Sequence, residues 1–168
     1  GCQMNVADSE LIIGMLNKEG FIRSNNAQNS DLIFINTCSI RERAEEKVHS
    51  QLGRWDKIKQ NKPEVIIGVL GCMAQNLKQD ILENRPFVDI VLGPDSYRKI
   101  PEIIKRSIND KQSIVDTKLS RYEVYEGIFP KRKGGVNAWI SIMRGCDKFC
   151  TFCIVPFTRG RERSRSID

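Results

Sequence analysis

Short apolar runs that alternate with amphipathic segments restrict the fold of this chain more than any other feature. The apolar runs at 31–37, 64–71, 88–93 and 113–116 have the length and composition of buried strands. Segments with helical spacing of apolar side chains precede the first run and separate the others. This alternating order predicts an α/β fold, with a parallel, doubly wound sheet that carries helices on both faces.

The helical segments carry their own start signals. The predicted helices span 7–18, 39–60, 75–84 and 95–108. Ser39 and Glu42 have the S-x-x-E spacing of a capping box at the start of the second helix. Pro101 either kinks the last helix or marks its first turn. Together these elements predict a Rossmann-like domain over residues 1–116.

Three cysteines occupy equivalent positions in this predicted sheet. Cys38 directly follows the strand at 31–37, Cys72 follows the strand at 64–71, and Cys2 stands where an earlier strand would end. The carboxyl ends of parallel strands lie at one edge of the sheet, so we expect the three thiols to converge. Three unrelated buried thiols are the alternative. Convergent thiolates suit a soft metal or an iron–sulfur cluster.

A second set of cysteines, Cys146, Cys150 and Cys153, follows a predicted strand at 137–145 with C-x3-C-x2-C spacing. One interpretation is a zinc site with a remote fourth ligand. His49 is the only histidine, and its place in a charged helical stretch predicts a surface residue. The other interpretation is a [4Fe–4S] cluster held by three cysteines, whose fourth iron is left open for a substrate or cofactor. The spacing alone leaves both open.

Positive charge is concentrated in two places. The formal net charge is +6, and residues 131–133 form one basic run. A second run comprises Arg159, Arg161, Arg163 and Arg165. These runs predict a polyanionic partner such as RNA, and a solvated surface is the alternative. For the four arginines, pairing with Asp or Glu of a part of the protein outside this sequence is a further alternative. No segment reaches the roughly 18 apolar residues of a membrane span, so no membrane partner is predicted.

Four segments together resemble the methylthiotransferase family of radical S-adenosylmethionine enzymes. They are GCQMN, NTCSIRERAEEKV, GVLGCMAQ and SIMRGCDKFCTFCIVPFTRGRERSRS, and the resemblance covers essentially the whole chain. It implies a methylthiotransferase domain at 1–116, a linker at 117–136 and the start of a radical-enzyme α/β barrel at 137–168. The rest of the barrel and a small RNA-binding domain are expected outside this sequence.

The resemblance also implies two [4Fe–4S] clusters and S-adenosyl-L-methionine as cofactors. Cys2, Cys38 and Cys72 correspond to the ligands of an auxiliary cluster. Cys146, Cys150 and Cys153 correspond to the ligands of the cluster that cleaves S-adenosylmethionine. Phe152 is expected either near the adenine of that cofactor or in the core.

Polar residues beside Cys38 are candidates for tuning a bound cluster. Asn36, Thr37 and Ser39 flank this cysteine, and their polar groups are expected to hydrogen-bond sulfur. For Ser39, the role of a plain helix cap is the alternative.

Three segments refine the implied function: NTCSIRE, HSQLGRW and VPFTRGRERSR. They are most similar to family members that add a methylthio group to C2 of N6-isopentenyladenosine next to the tRNA anticodon. Threonylcarbamoyladenosine of tRNA or a ribosomal protein are the alternative substrates, and a non-catalytic, zinc-stabilised RNA-binding module is the alternative class. The resemblance implies tRNA as partner, a reductase-type electron donor and a cytoplasmic location, and leaves the oligomeric state open.

Overall fold

Four strands form one parallel sheet with the order β1-β2-β3-β4. The strands are β1 (Leu32–Thr37), β2 (Ile66–Gly71), β3 (Ile90–Leu92) and β4 (Ile114–Asp116). The computed structural model describes residues 2–39, 42–132 and 134–167, and only the backbone at 42–45. Each predicted strand of the sheet is present with slightly shorter bounds, which confirms the parallel α/β fold.

Helices cover both faces of the sheet. They are α1 (Gln3–Lys18), α2 (Glu42–Asn61), α3 (Cys72–Leu77), α4 (Asp80–Asn84) and α5 (Ile100–Asp110). In β2, Ile67 and Val69 pack with α2, α3 and α4, whereas Ile66 and Leu70 pack with α1 and α5. This alternation buries β2 on both sides, as expected of a parallel sheet covered by helices on both faces.

Three helix predictions differ from the structure in their bounds. The predicted helix at 75–84 is two helices, because Lys78 has a φ of 49° and interrupts the helical backbone between α3 and α4. The helix predicted at 7–18 begins four residues earlier, at Gln3. Pro101 lies in the first turn of α5, after a 3-10 turn at Tyr97–Lys99, so it marks a helix start rather than a kink. The predicted capping box of α2 lies outside the described residues.

The C-terminal part contains two short strands and one short helix. These are β5 (Met143–Arg144), α6 (Val155–Arg159) and β6 (Arg163–Ser164), and β5 pairs with β6 in antiparallel orientation. The predicted strand at 137–145 is wrong for residues 137–142, since the two residues of β6 pair only with Met143 and Arg144. Ile140 and Ile142 are accordingly exposed. The predicted barrel start and domain boundaries stay predictions.

The segment between the sheet and β5 is anchored to the sheet by Tyr125. This side chain is buried, and its ring stacks on Tyr97 with 5.8 Å between centroids. Its hydroxyl donates to the carbonyl of Pro94 (2.6 Å) and accepts from the backbone N–H of Tyr97 (3.0 Å). Tyr125 therefore anchors this segment on the side of the sheet that α1 and α5 cover. Within the described residues, no helix has both the length and the apolar character needed to cross a bilayer.

Candidate metal centres

The first three cysteines lie at the junctions between strands and helices. Cys38 directly follows β1, and Cys72 directly follows β2 as the first residue of α3. Both are nearly buried, at 3% and 4% exposure, and the preceding residues Thr37 and Gly71 are register partners in the sheet. Cys2 caps the N-terminus of α1 in extended conformation and is half-buried.

Two polar side chains, Asn5 and Thr37, tie these three segments together. The Cys2 backbone N–H and Sγ both donate to Oδ1 of Asn5, at 3.1 and 3.2 Å. Nδ2 of Asn5 donates to the carbonyl of Thr37 at 2.7 Å. Oγ1 of Thr37 donates to the carbonyl of Leu70 at 2.5 Å. The hydrogen bonds thus connect the start of α1 and the end of β2 to the end of β1.

Asn36 and Thr37, the residues before Cys38, hydrogen-bond other segments of the chain rather than a cysteine sulfur. Nδ2 of Asn36 donates to the carbonyl of Asn5 (3.0 Å) and to Oγ of Ser9 (3.1 Å). The Thr37 hydroxyl donates to the carbonyl of Leu70 in β2, as described above. The expectation that Asn36 and Thr37 hydrogen-bond a cysteine sulfur is therefore corrected, because other segments occupy their polar groups. The cap role of Ser39 stays a prediction, because residues 40 and 41 and the side chain of Glu42 lie outside the described part of the chain.

Gly71 gives the first testable prediction because its backbone conformation suits only glycine. Its φ is 96° and its ψ −157°, and an added Cβ would lie 2.5 Å from Oδ1 of Asn36. We expect Gly71→Ala to lower the free energy of unfolding by about 1–3 kcal/mol from backbone strain alone. Urea unfolding followed by circular dichroism measures this loss.

Gly53→Ala is the matched control. An added Cβ at Gly53, inside α2, meets no atom within 4 Å. Alanine there is expected to stabilise the helix by up to about 1 kcal/mol. Equal unfolding midpoints for the two variants would contradict the role of Gly71 in setting the backbone before Cys72.

The second set of cysteines occupies one loop between β5 and α6. Cys150 is exposed, whereas Cys146 and Cys153 are half-buried. The backbone N–H of Cys153 donates to the carbonyl of Cys150 (2.9 Å), and that of Cys146 donates to the carbonyl of Gly160 (3.1 Å). Phe152 is 91% exposed, so it does not belong to the core. Its contact with adenine stays a prediction.

The donor chemistry of both sets suits iron and sulfide. All six thiols are free of disulfides. Among the described residues, however, no three His, Cys, Asp or Glu side chains are grouped closely enough to hold a metal ion. His49 is exposed on α2, as the sequence predicts. The assignment of each cysteine set to one cluster therefore stays a prediction.

A buried ionic group joins the C-terminal part to α1. Asp8 of α1 is only 1% exposed, and its two carboxylate oxygens pair with Nη1 of Arg144 (2.9 Å) and Nη2 of Arg159 (2.8 Å). Arg144 and Arg159 are also buried. Two guanidinium groups thus face one carboxylate. Burial alone would lower the pKa of Arg159, but the Asp8 carboxylate and smaller contributions from other neighbouring groups together hold that pKa above its ordinary value.

A second buried pair lies nearby. Both terminal nitrogens of Arg163 donate to the carboxylate of Asp95, at 2.9 and 3.0 Å. Nη1 of Arg163 also donates to the carbonyl of Ser120. Because Arg163 is buried and bidentate, this pair fixes β6 against the loop after β3.

The four arginines of the second basic run therefore have different environments. Arg159 and Arg163 pair with buried carboxylates, so neither guanidinium is accessible to a phosphate, and their predicted RNA contact is corrected. Arg165 is half-buried and donates to the carbonyl of Tyr125 (3.2 Å). Arg161 is exposed, pairs with Asp147 (2.9 Å) and lies 5.3 Å from the ring centroid of Phe149. Arg161 remains the best placed candidate for RNA.

The two cysteine sets are connected through α6. This helix follows the second set directly and packs against α3, which begins with Cys72. Burial raises the pKa of the Cys72 thiol, and the nearby guanidinium of Arg159 and hydroxyl of Thr158 oppose that rise. The segment that follows Cys153 thus lies beside the helix that begins at Cys72.

Asn5, Asp8 and Arg144 were not predicted from the sequence as site residues. Asn5 and Asp8 precede Ile12 and Met15 at spacings of three, four and three, so they continue the buried stripe of α1. Polar side chains on an apolar helical face are a recognisable signal of buried hydrogen bonding. The predicted start at residue 7 placed Asn5 outside the helix. The sequence around Arg144 carries no comparable signal.

Comparison with known proteins defines the class of this chain. The profile of the Uncharacterized protein family UPF0004 matches residues 1–93, which is more than half of the sequence, and the chain belongs to this family.

The chain is also similar to curated proteins named tRNA-2-methylthio-N(6)-dimethylallyladenosine synthase. It is 50% identical to the protein of Amoebophilus asiaticus, over 98% of this chain and 34% of that protein. It is 47% identical to the protein of Christiangramia forsetii, over 98% of this chain and 34% of that protein. It is 46% identical to the protein of Caldicellulosiruptor saccharolyticus, over 98% of this chain and 36% of that protein. The chain spans about a third of the length of these relatives.

Proposed function

We propose that this chain is part of a radical S-adenosylmethionine methylthiotransferase that acts on tRNA. The proposed reaction replaces the hydrogen at C2 of N6-isopentenyladenosine, next to the anticodon, with a methylthio group. Relatives that carry the name of this activity match nearly the whole chain at 46–50% identity. The whole enzyme is expected to be longer, because the chain spans about a third of each relative.

The contact between α6 and α3 is the structural observation that carries this proposal. The reaction needs one site that removes a hydrogen and another that delivers sulfur to the same carbon. The segment after Cys153 packs against the helix that begins at Cys72, and two buried ion pairs fix the surrounding contact. Packing between the elements that follow the two cysteine sets supports their action on one substrate atom.

The cysteines would divide between two iron–sulfur clusters. Cys2, Cys38 and Cys72 would hold the auxiliary cluster, and Cys146, Cys150 and Cys153 would hold the other cluster, beside which S-adenosylmethionine binds. When bound, one cluster would pass an electron from the reductant to S-adenosylmethionine, and the other would carry the transferred sulfur. Because the thiols of each set must approach one another to hold a cluster, binding is expected to order the cysteine loops.

The residues around the clusters would position the ligands and limit access of water. Asn5 and Thr37 would keep the segments of Cys2, Cys38 and Cys72 at one edge of the sheet through the hydrogen bonds described above. Phe152, exposed in the cysteine loop, would contact the adenine of S-adenosylmethionine. We also propose a reductase-type electron donor and a cytoplasmic location, in keeping with tRNA as substrate.

An activity assay tests the proposed function directly. A complete protein that contains this chain would be reconstituted anaerobically with ferrous iron and sulfide, then mixed with S-adenosylmethionine, dithionite and tRNA that carries N6-isopentenyladenosine. Mass spectrometry of the digested nucleosides is expected to show one added methylthio group on this adenosine. A colourless protein that binds stoichiometric zinc and leaves the tRNA unchanged would instead support the RNA-binding module.

Arg161 gives a prediction for the tRNA interface. If its exposed guanidinium contacts one phosphate, Arg161→Gln in the complete protein should reduce the slope of log K against log salt concentration by about 0.7–0.9. Fluorescence anisotropy with a labelled anticodon stem-loop measures this slope. Arg106→Gln is the matched control, because Arg106 is exposed on α5. Equal slopes for Arg161→Gln and the unchanged protein would remove Arg161 from the interface.

A further inference from the structure

Three phenylalanines are exposed where the cysteine loop runs into α6. They are Phe149, Phe152 and Phe157, and the ring of Phe157 is 67% exposed. Phenylalanine is among the residue types most often buried, so several exposed rings in one short stretch mark a surface that binds a partner. Phe152 is already proposed to contact S-adenosylmethionine, which leaves Phe149 and Phe157 without a role.

Phe149 and Phe157 pack against each other in a defined geometry. Their ring centroids are 6.3 Å apart and their planes are inclined at 89°, which is a favourable T-shaped arrangement. Phe149 reaches this position with a φ of 47°, a left-handed backbone that is uncommon for a bulky residue. Strained backbone of this kind is concentrated at functional sites. The pair supports Phe157 while much of its ring stays in contact with solvent.

Arg161 places a positive charge beside this aromatic pair. Its guanidinium carbon lies 5.3 Å from the ring centroid of Phe149, and its Nε pairs with Asp147 at 2.9 Å. Asp147 also accepts from the backbone N–H of Glu162 (3.0 Å), which helps to hold the ion pair in place. Because the Arg161 side chain is largely exposed, its terminal nitrogens are accessible to an acceptor from outside the protein.

An exposed aromatic ring beside an arginine suits an unpaired nucleotide of RNA. Every base has a face that stacks on an aromatic side chain, and a guanidinium binds the phosphates that join the bases. The exposed Lys148 precedes Phe149, and the whole chain has a formal net charge of +6. This charge favours a polyanion over an uncharged apolar partner.

We propose that Phe157, supported by Phe149, stacks on an unpaired base of bound RNA while Arg161 contacts an adjoining phosphate. The inference rests on the proposed function, because the anticodon loop of tRNA supplies the unpaired bases. It extends that function by assigning a base-stacking surface to the segment that follows the second cysteine set.

Binding measurements with single bases removed from the RNA test this contact. The complete protein would be titrated, by fluorescence anisotropy, with a labelled anticodon stem-loop and with versions that each lack one base of the loop. Phe157→Leu keeps an apolar side chain but removes the ring, and should weaken binding of the intact stem-loop about 5- to 150-fold. Loss of the stacked base should weaken binding to the unchanged protein similarly, but should not weaken binding to Phe157→Leu further. Phe157→Trp should keep the affinity.

Tyr122→Leu is the matched control, because Tyr122 is an exposed aromatic residue outside the cysteine loop. Its affinity should equal that of the unchanged protein. The proposal is overturned if Phe157→Leu binds the stem-loop normally, or if Tyr122→Leu loses as much affinity. A lower urea midpoint for Phe157→Leu also overturns it, because the ring would then be packed inside the complete protein.

The methylthiolation assay separates this inference from the proposed function. If the unchanged protein modifies tRNA and Phe157→Leu binds the stem-loop normally, the stacking contact is wrong and the proposed function stands. If the unchanged protein neither binds the stem-loop nor modifies tRNA, the proposed function fails and this inference fails with it.

Discussion

Replacing Cys150 with Ala is expected to abolish both reductive cleavage of S-adenosylmethionine and methylthiolation of tRNA. The substitution removes one of three proposed ligands from the cluster beside which S-adenosylmethionine binds. Without that cluster no electron reaches the sulfonium, so neither 5′-deoxyadenosine nor modified tRNA should form. An anaerobic assay of the complete protein, with both products quantified by mass spectrometry, measures the loss.

Cys72→Ala should separate the two activities. It removes a ligand from the other proposed cluster, and the loop with Cys146, Cys150 and Cys153 is left intact. We expect this variant to keep forming 5′-deoxyadenosine, at a reduced rate because α6 packs against α3, and to add no methylthio group.

The Cys72→Ala and Cys150→Ala variants are controls for each other, since both are single cysteine replacements. If Cys72→Ala still methylthiolates tRNA, Cys72 has no part in delivering sulfur. If Cys72→Ala and Cys150→Ala both lose all cleavage of S-adenosylmethionine while the fold is intact, the division of the cysteines into two functional sets is contradicted.

Asp8→Asn is expected to cause the largest loss of stability. The substitution keeps the shape of the side chain but leaves Arg144 and Arg159 buried without their shared carboxylate. Removing one partner of a buried ion pair costs about 3–5 kcal/mol, which is a large part of the stability of an ordinary domain. Urea unfolding of the metal-free chain should show a lower midpoint with an unchanged m-value.

Asp31→Asn is the matched control for this measurement. The Asp31 side chain is 92% exposed and pairs with Lys62 at the surface. Loss of such a pair costs about 0–1 kcal/mol. Similar midpoints for Asp8→Asn and Asp31→Asn would contradict the view that the Asp8 group holds the C-terminal part against α1.

The sheet could be predicted because its information is local. The apolar runs that form β1, β2 and β3 are short and bounded by polar residues, and this pattern is typical of buried parallel strands. The position of Cys38 and Cys72 at strand ends follows from the same pattern. The placement of these two cysteines in the structure confirms that part of the prediction.

The break at Lys78 and the fate of residues 137–142 were not predictable in the same way. The break depends on the left-handed backbone at a single lysine, which helical spacing does not reveal. A strand also requires a partner, and the two residues of β6 pair with only the last part of the predicted strand. Apolar composition alone does not specify that partner.

The ion-pair partners of the arginines could not be predicted from the sequence either. A run of positive residues reveals where charge is concentrated but does not reveal which carboxylate lies opposite. The partners of Arg159 and Arg163 are separated from them by 151 and 68 positions in the chain. Arg159 and Arg163 therefore form buried ion pairs instead of the expected phosphate contacts, whereas the phosphate contact of exposed Arg161 stays a prediction.

The measurement of iron in two triple variants tests the central claim most directly. After anaerobic loading with iron and sulfide, the unchanged chain should be brown and hold about eight iron atoms, as expected for two [4Fe–4S] clusters. Replacing either Cys2, Cys38 and Cys72 or Cys146, Cys150 and Cys153 with Ala should leave about four iron atoms. A colourless chain that holds zinc, or complete loss of iron from either triple variant alone, would contradict two independent clusters.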